Sequence, residues 1–258
     1  MNIFSLENRT ALITGGSRGI GRMIAEGFVA QGARVYISSR DSDACRQTAI
    51  ELSGDGGICR PLPQDISTMK GVRTLAEKFA AAEPGLDILV NNAGAAWGSS
   101  FESFPEQGWD KVLDLNLKSP FFLTQALLGS LEAAASKEAP GKVINIASID
   151  GLRPNPQATY SYQASKAGLI HLTRRMAAEL IRRNICVTAI APGAFASRMN
   201  KDARDRADEV AAVIPAGRIG TARDMQGVAI FLASRAGDYL VGATIPVDGG
   251  VALAHLSI

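Results

Sequence analysis

At 258 residues, with an apolar fraction of 47% and a formal charge of +2, the chain has the length of one α/β domain and the apolar content for a sizeable core. The near-balanced charge gives no basis for a nucleic-acid or membrane surface, and no apolar run reaches membrane-spanning length. Cys45, Cys59 and Cys186 form no CxxC pair and residues 1–9 lack the apolar core of a signal peptide, so the expectation is a soluble cytoplasmic protein with idle or buried thiols and no disulfide framework or metal site.

The first element is an apolar run of strand character over residues 10–14, ending directly in Gly15-Gly16-Ser17-Arg18-Gly19-Ile20-Gly21. After it the apolar spacing from Met23 to Ala30 predicts a helix that stops at Gly32. Strand, glycine turn and helix form the setting in which a glycine motif carries information. Without side chains the loop can approach a pyrophosphate closely, and the N–H groups at the helix start favour negative charge. Gly15, Gly19 and Gly21 depart from GxGxxG spacing, and a plain glycine-rich turn fits the same residues.

A second strand over residues 33–38 leads into Ser39-Arg40-Asp41. In a dinucleotide fold this strand end faces the adenosine ribose, where an acidic residue would accept from a free 2′-hydroxyl. Ser39 and Arg40 stand there instead. With Arg18 as a second cation they suit a 2′-phosphate, hence NADP(H), although Asp41 or Asp43 could neutralise Arg40 or mark a later strand end.

A helix over residues 44–52, a turn at 54–57 and a strand at 58–62 follow, and Gln64-Asp65-Ile66-Ser67 opens another helix with Ser67 as N-cap. The strand at 86–90 ends in Asn91-Asn92-Ala93-Gly94, and a long helix is predicted over residues 105–131, with Asn116 inside it. Ser148 closes the strand at 142–148. The helix carrying Tyr162 and Lys166 runs to about Arg183, the strand at 185–190 precedes Ala191-Pro192-Gly193, and a last strand covers 244–247. This alternation predicts a single domain over 1–258: an α/β, Rossmann-type, doubly wound parallel sheet of about seven strands flanked by helices. Gly15, Asn91, Ser148 and Pro192 all fall just beyond carboxyl ends of strands, where open α/β sheets place their ligands.

Tyr162 and Lys166 are four residues apart on a helix and so share a face. A fixed ammonium favours the phenolate and brings a tyrosine, normally near ~10, closer to a useful acid–base range. Tyr160 has Ala164 in the matching place and gains no such partner. Taken alone, the Tyr162–Lys166 pair also fits a solvated contact on a helix surface.

The ordered set of residues 14–21, Asn91-Asn92-Ala93-Gly94, Asn116, Ser148, Tyr162 with Lys166, and Pro192-Gly193 resembles the short-chain dehydrogenase/reductase family across essentially the whole chain. Within it the sequence is most similar to the 3-oxoacyl-[acyl-carrier-protein] reductases, and particularly to the rhamnolipid-pathway branch, through residues 15–21, 95–98, 109–112 and 191–199. The resemblance implies an NADPH-dependent ketone reductase. Tyr162 would donate the proton, Lys166 would lower its pKa and hold the nicotinamide ribose, Ser148 would bond the carbonyl oxygen, and Asn116 would distort its helix and hold a water. Gly15, Ser17, Arg18, Gly19, Ile20, Gly21, Ser39, Arg40, Asn92, Ala93, Gly94, Pro192 and Gly193 would line the cofactor. Asp65 and Ile66 would lie beside the adenine, with a helix cap as the competing role for Asp65, and Ser197 would contact the carboxamide.

Substrate is less determined. Residues 195–215 resemble the family's mobile substrate-covering segment and carry Arg198, Lys201, Asp202, Arg204, Asp205, Arg206, Asp208 and Glu209, most of which a solvated helix face explains. Arg183, beside Arg182, matches a basic docking residue for acyl-carrier protein; the second docking cation has Ala139 near its place. Coenzyme A thioesters and free ketones stay open, as do a sugar, polyol or other small alcohol substrate and, more remotely, a non-catalytic NADP-binding regulator. By resemblance a homotetramer is expected, a homodimer next. His171 and His255 are given no role.

Overall fold

Thr10–Thr14, β1, carries no charge and is buried at every position. That pattern belongs to a strand covered on both faces. In the computed structural model, which describes residues 2–197 and 200–254, six further strands join it: β2 (Arg34–Ser38), β3 (Ile58–Pro61), β4 (Ile88–Asn91), β5 (Gly141–Ile146), β6 (Ile185–Pro192) and β7 (Thr244–Val247). They form one parallel sheet in the order β3-β2-β1-β4-β5-β6-β7. The chain starts in the middle, winds outward to β3, then returns past β1 to β4, which creates the switch point where such sheets bind ligands.

The helices are α1 (Gly19–Ala30), α2 (Ser42–Leu52), α3 (Met69–Ala82), α4 (Glu106–Leu113), α5 (Ser119–Ala126), α6 (Leu128–Ala134), α7 (Tyr160–Leu180), α8 (Lys201–Asp205), α9 (Ala207–Ala212) and α10 (Ala222–Ala233). Successive strand residues point to opposite faces, and the core divides accordingly. Ala11, Ile13, Val35, Ile37, Ile88, Val90 and Ile144 pack with Ile24 and Phe28 of α1 and Met225 and Ala229 of α10. Leu12, Tyr36, Leu89, Val143 and Val187 pack on the other face with Leu75 and Phe79 of α3, Leu123 of α5 and Met176 and Leu180 of α7. Each Val, Leu, Ile, Phe or Met side chain among them contributes about 1.5–3 kcal/mol by leaving water.

The helix predicted over residues 105–131 is not continuous. Between α4 and α5, residues Asp114–Lys118 form a wider π turn, with the Ser119 N–H reaching back to the Asp114 carbonyl. The turn falls around Asn116, where the resemblance implies a distorted helix; the apolar residues of 105–131 taken together do not place it. A second correction concerns α3, whose N-cap is Thr68, accepting from the Gly71 N–H, and not Ser67. The Ser67 N–H instead donates to Asp65 Oδ1 at 2.9 Å.

All three cysteines are buried, and burial pushes the thiols up, to about 11 for Cys45 and about 12 for Cys59. No helix among the described residues is long and apolar enough to cross a membrane. Arg198, Met199, His255 and the Lys201 side chain lie outside the described residues.

Candidate active site

The glycine loop is built around two left-handed residues, Gly15 at φ +65° and Gly19 at φ +54°, a conformation that disfavours any residue with a Cβ. Gly21 is also obligatory: a Cβ there would overlap Asn92 Nδ2 and the Gly15 carbonyl. The loop is held from β4. Asn92 Nδ2 donates to the Thr14 and Gly15 carbonyls at 2.9 and 3.2 Å. Thr14 Oγ1 accepts from the N–H groups of Asn92 and Ala93, each at 3.0 Å. Asn92 and Ala93 thus shape the cradle from behind. Arg18, at the N-cap of α1, places no side chain on the helix N–H groups, so the first turn presents donors and the positive dipole end to the loop. The donor set fits a pyrophosphate. Ile20 packs on the core beneath, and Ser197 stands opposite Gly19, its Cβ 3.5 Å from where a Gly19 Cβ would sit.

At the next strand end Ser17 Oγ donates to Ser39 Oγ at 3.0 Å, joining the two loops. The two aspartates that could have neutralised Arg40 are engaged elsewhere. Asp41 caps α2 by accepting from the Ala44 N–H at 3.1 Å, and Asp43 pairs with Arg46 at 3.4 Å. Arg40 and Arg18 are exposed, and neither forms an ion pair among the described residues. The surface there suits a 2′-phosphate. Asp65 spends one carboxylate oxygen on its own turn, as described, while Ile66 is buried and its carbonyl accepts from Ser119 Oγ at 2.6 Å. Gly193, just past β6, donates its N–H to the Val247 carbonyl at 3.0 Å. A Cβ on it would come 2.7 Å from Asp248 Cβ, so Pro192-Gly193 lies flush against the end of β7.

Ser148 stands two residues past β5 and opens a short 3-10 turn, Ile149–Gly151, accepting from the Asp150 N–H at 3.1 Å. Its hydroxyl proton faces the Tyr162 oxygen and can pass to a substrate oxygen placed between them. The turn is pressed onto α7: a Cβ on Gly151 would lie 2.7 Å from the Lys166 carbonyl oxygen. That contact fixes Ser148 against the helix turn that carries Tyr162 and Lys166. Lys166 is 5% exposed and its Nζ donates to the Ile146 carbonyl at 2.7 Å, with the Tyr162 ring centroid 5.6 Å away. Gln163, between them in sequence, orders the preceding loop through the Asn155 and Gln157 backbone. Tyr160 faces away, edge-on to Phe101 and Phe104, both centroids at 5.7 Å.

Asn116, 1% exposed, sits inside the π turn. Its Oδ1 accepts from the Ala95 N–H at 2.8 Å, and its Nδ2 donates to the Ala95 carbonyl and to Ser165 Oγ at 2.9 and 3.0 Å. A Cβ on Gly94 would be 3.2 Å from Asn116 Oδ1 and 3.8 Å from Lys166 Nζ. The four candidates, from three separate stretches of sequence, are therefore neighbours. Ser165 and Asp150 were not singled out by the sequence; for Ser165 the signal is its place three residues after Tyr162, one turn away.

One electrostatic expectation reverses. Burial raises the Tyr162 phenol to about 12, against the Ser148 hydroxyl, which favours phenolate, and with help from the nearby Asp150 charge. Burial also lowers Lys166, to about 8, while Asp150 pulls it up. Spacing placed the ammonium beside the ring, but burial of each group sets the direction in which it moves. Arg183 also differs from a free docking cation, because it pairs with Glu132 at 2.6 Å. In the segment after β6, Arg204 pairs with Asp205 and Arg206 with Asp202 and Glu209, all exposed.

A neutral tyrosine beside a serine hydroxyl can deliver a proton to an oxygen that is gaining charge, and the loop at the same sheet end is shaped for a dinucleotide. Those are the working parts of a Rossmann-type oxidoreductase. The model of the family described as enoyl-(acyl carrier protein) reductase matches residues 15–252. The chain is 47% identical, over 96% of its length and 97% of the relative's, to the rhamnolipids biosynthesis 3-oxoacyl-[acyl-carrier-protein] reductase of Pseudomonas aeruginosa. It is 38% identical, over 97% and 98%, to a 2-dehydro-3-deoxy-D-gluconate 5-dehydrogenase of Dickeya dadantii. Among solved structures, the Pseudomonas aeruginosa RhlG/NADP active-site complex superposes with a TM-score of 0.94 at 46% identity, covering 98% of this chain and all of that one. The chain belongs to the short-chain dehydrogenase/reductase family.

Proposed function

We propose that the protein reduces a ketone to a secondary alcohol with NADPH, and that the ketone is the 3-oxo group of an acyl thioester. The observation that carries the reading is the meeting of Ser148, Tyr162, Lys166 and Asn116 beside the glycine loop. When bound, NADPH would supply hydride to the carbonyl carbon. Gly15, Ser17, Gly19, Ile20 and Gly21 would hold its pyrophosphate, Arg18, Ser39 and Arg40 its 2′-phosphate, Asp65 and Ile66 its adenine side, and Gly94, Pro192, Gly193 and Ser197 the nicotinamide side.

Ser148 donates its hydroxyl proton to the substrate carbonyl oxygen. As that oxygen gains charge, Tyr162 gives it a proton; the raised pKa keeps the phenol protonated and ready as the acid. Lys166 supplies positive charge beside the phenol. The π turn at Asn116, meeting Lys166 at Gly94, is where water would return the proton through Lys166.

Identity of 47% to a 3-oxoacyl reductase against 38% to the sugar-acid enzyme supports the thioester over the sugar. Docking of a carrier protein would use Arg182, which is exposed and without an ion pair among the described residues, and would compete with Glu132 for Arg183. Assembly as a homotetramer fits the exposed Phe121 on α5 and the fully exposed Tyr239 ahead of β7, whose own residues are all half-buried. The test is NADPH consumption by the purified protein with 3-oxoacyl thioesters of carrier protein and of coenzyme A, over several chain lengths. Turnover of the thioesters above simple sugars and polyols is expected; tight NADPH binding with no turnover of any ketone or alcohol would make the protein a regulator instead.

A further inference from the structure

Asp150 has no part in the chemistry above, yet it occupies the turn that holds Ser148. Its backbone N–H is spent on Ser148 Oγ at 3.1 Å. Its half-buried carboxylate forms no hydrogen bond or ion pair among the described residues. Gly151 presses the same turn onto the Lys166 backbone, and the carboxylate's field reaches both Tyr162 and Lys166, raising each. No cation among the described residues pairs with it directly: Lys166 Nζ donates to the Ile146 carbonyl and Arg153 Nη1 to the Val251 carbonyl, each at 2.7 Å, so the Lys166 charge attenuates the carboxylate's field without contacting it. A fixed negative charge thus stands at the edge of the reacting centre.

We propose that Asp150 is a specificity-determining residue, an electrostatic filter that rejects ketones carrying a carboxylate close to the carbonyl and so reserves the site for neutral acyl chains. The inference rests on the ketoreductase reading. A thioester keeps its charged groups far out along the carrier arm, whereas a sugar acid or free 3-oxo acid carries a carboxylate within a few bonds of the reacting carbon. Like charges brought together in a partly desolvated cleft repel strongly enough to discriminate. A family fold that serves both substrate classes then needs only one side chain in this turn to exclude one of them.

The test compares one ketone with and without a charge: ethyl 3-oxobutanoate and the 3-oxobutanoate anion. The readout is the ratio of kcat/KM for ester over anion, in the wild type and in Asp150→Asn, which retains the backbone donor to Ser148. The asparagine variant should lower the ratio about tenfold, as expected for removing one like charge. Asp150→Glu should restore it, and added salt should lower the wild-type ratio more than the variant's. An unchanged ratio in Asp150→Asn, with the wild type active on the ester, overturns the filter alone. No turnover by the wild type of either compound or of any 3-oxoacyl thioester overturns the ketoreductase reading and the filter with it.

Discussion

Asn116 Nδ2 donates to Ser165 Oγ at 3.0 Å, and Ser165 Oγ in turn donates to the Tyr162 carbonyl at 2.7 Å. The π turn is thereby tied to the one turn of α7 that carries both Tyr162 and Lys166. Ser165→Ala cuts this link while leaving Asn116 its two bonds to Ala95. The buried amide loses one partner, a loss of about 1 kcal/mol, read as a fall in Tm of roughly 2–4 °C for a chain of this size. Turnover should fall through kcat, with KM little changed, because the proton path is disturbed and the substrate surface is not. Unaltered kcat would remove Ser165 from the positioning of Tyr162.

Arg40 owes its availability to its neighbours: Asp41 is committed to capping α2 and Asp43 to Arg46. Arg40→Asp replaces an attractive charge with a repulsive one at the 2′-phosphate. The ratio of kcat/KM for NADPH over NADH should drop at least about tenfold, or about 1.4 kcal/mol. A ratio that does not move would give the selection to Arg18 and the Ser17–Ser39 pair.

The pH profile follows from desolvation. With Tyr162 raised to about 12 and Lys166 lowered to about 8, the acid stays protonated while its supporting charge is lost. The kcat/KM for reduction should therefore decline as pH rises through about 8, a limb belonging to Lys166. Stability moves oppositely in that range. Between about 8 and the unfolded lysine value near ~10.4 the unfolded state binds more protons, so the Lys166 contribution rises with pH. Above about 10 the sign turns, because the folded Tyr162 holds a proton that the unfolded chain releases. A rate profile flat to about pH 10 would contradict the assignment.

The sheet was legible from sequence because buried parallel strands are short apolar runs, as in Thr10–Thr14 and Ile185–Pro192, both buried throughout. The site was legible as separate motifs at strand ends. The π turn at Asp114–Lys118 was anticipated only through the resemblance, as a distortion at Asn116: an extra residue rotates the apolar face by about 100°, and the helical stretches on either side are too short for that phase change to stand out. Nor could spacing weigh burial against charge: a tyrosine and a lysine one turn apart imply a lowered phenol, and only their enclosure by β5 and the Ser148 turn reverses it. Ser165 and Asp150 act through contacts with residues far away in sequence or through field, and neither leaves a pattern in a single chain.

The central claim is that Tyr162 gives the proton that completes ketone reduction, and Tyr162→Phe measures it most directly. The variant keeps the ring and loses only the hydroxyl. NADPH binding, followed by cofactor fluorescence, should stay close to wild type, while NADPH consumption with a 3-oxoacyl thioester should fall by at least about a thousandfold, in the upper part of the range for a positioned acid. Turnover within about tenfold of wild type, with NADPH still bound, would contradict the account and send the search for the proton donor elsewhere in the cleft.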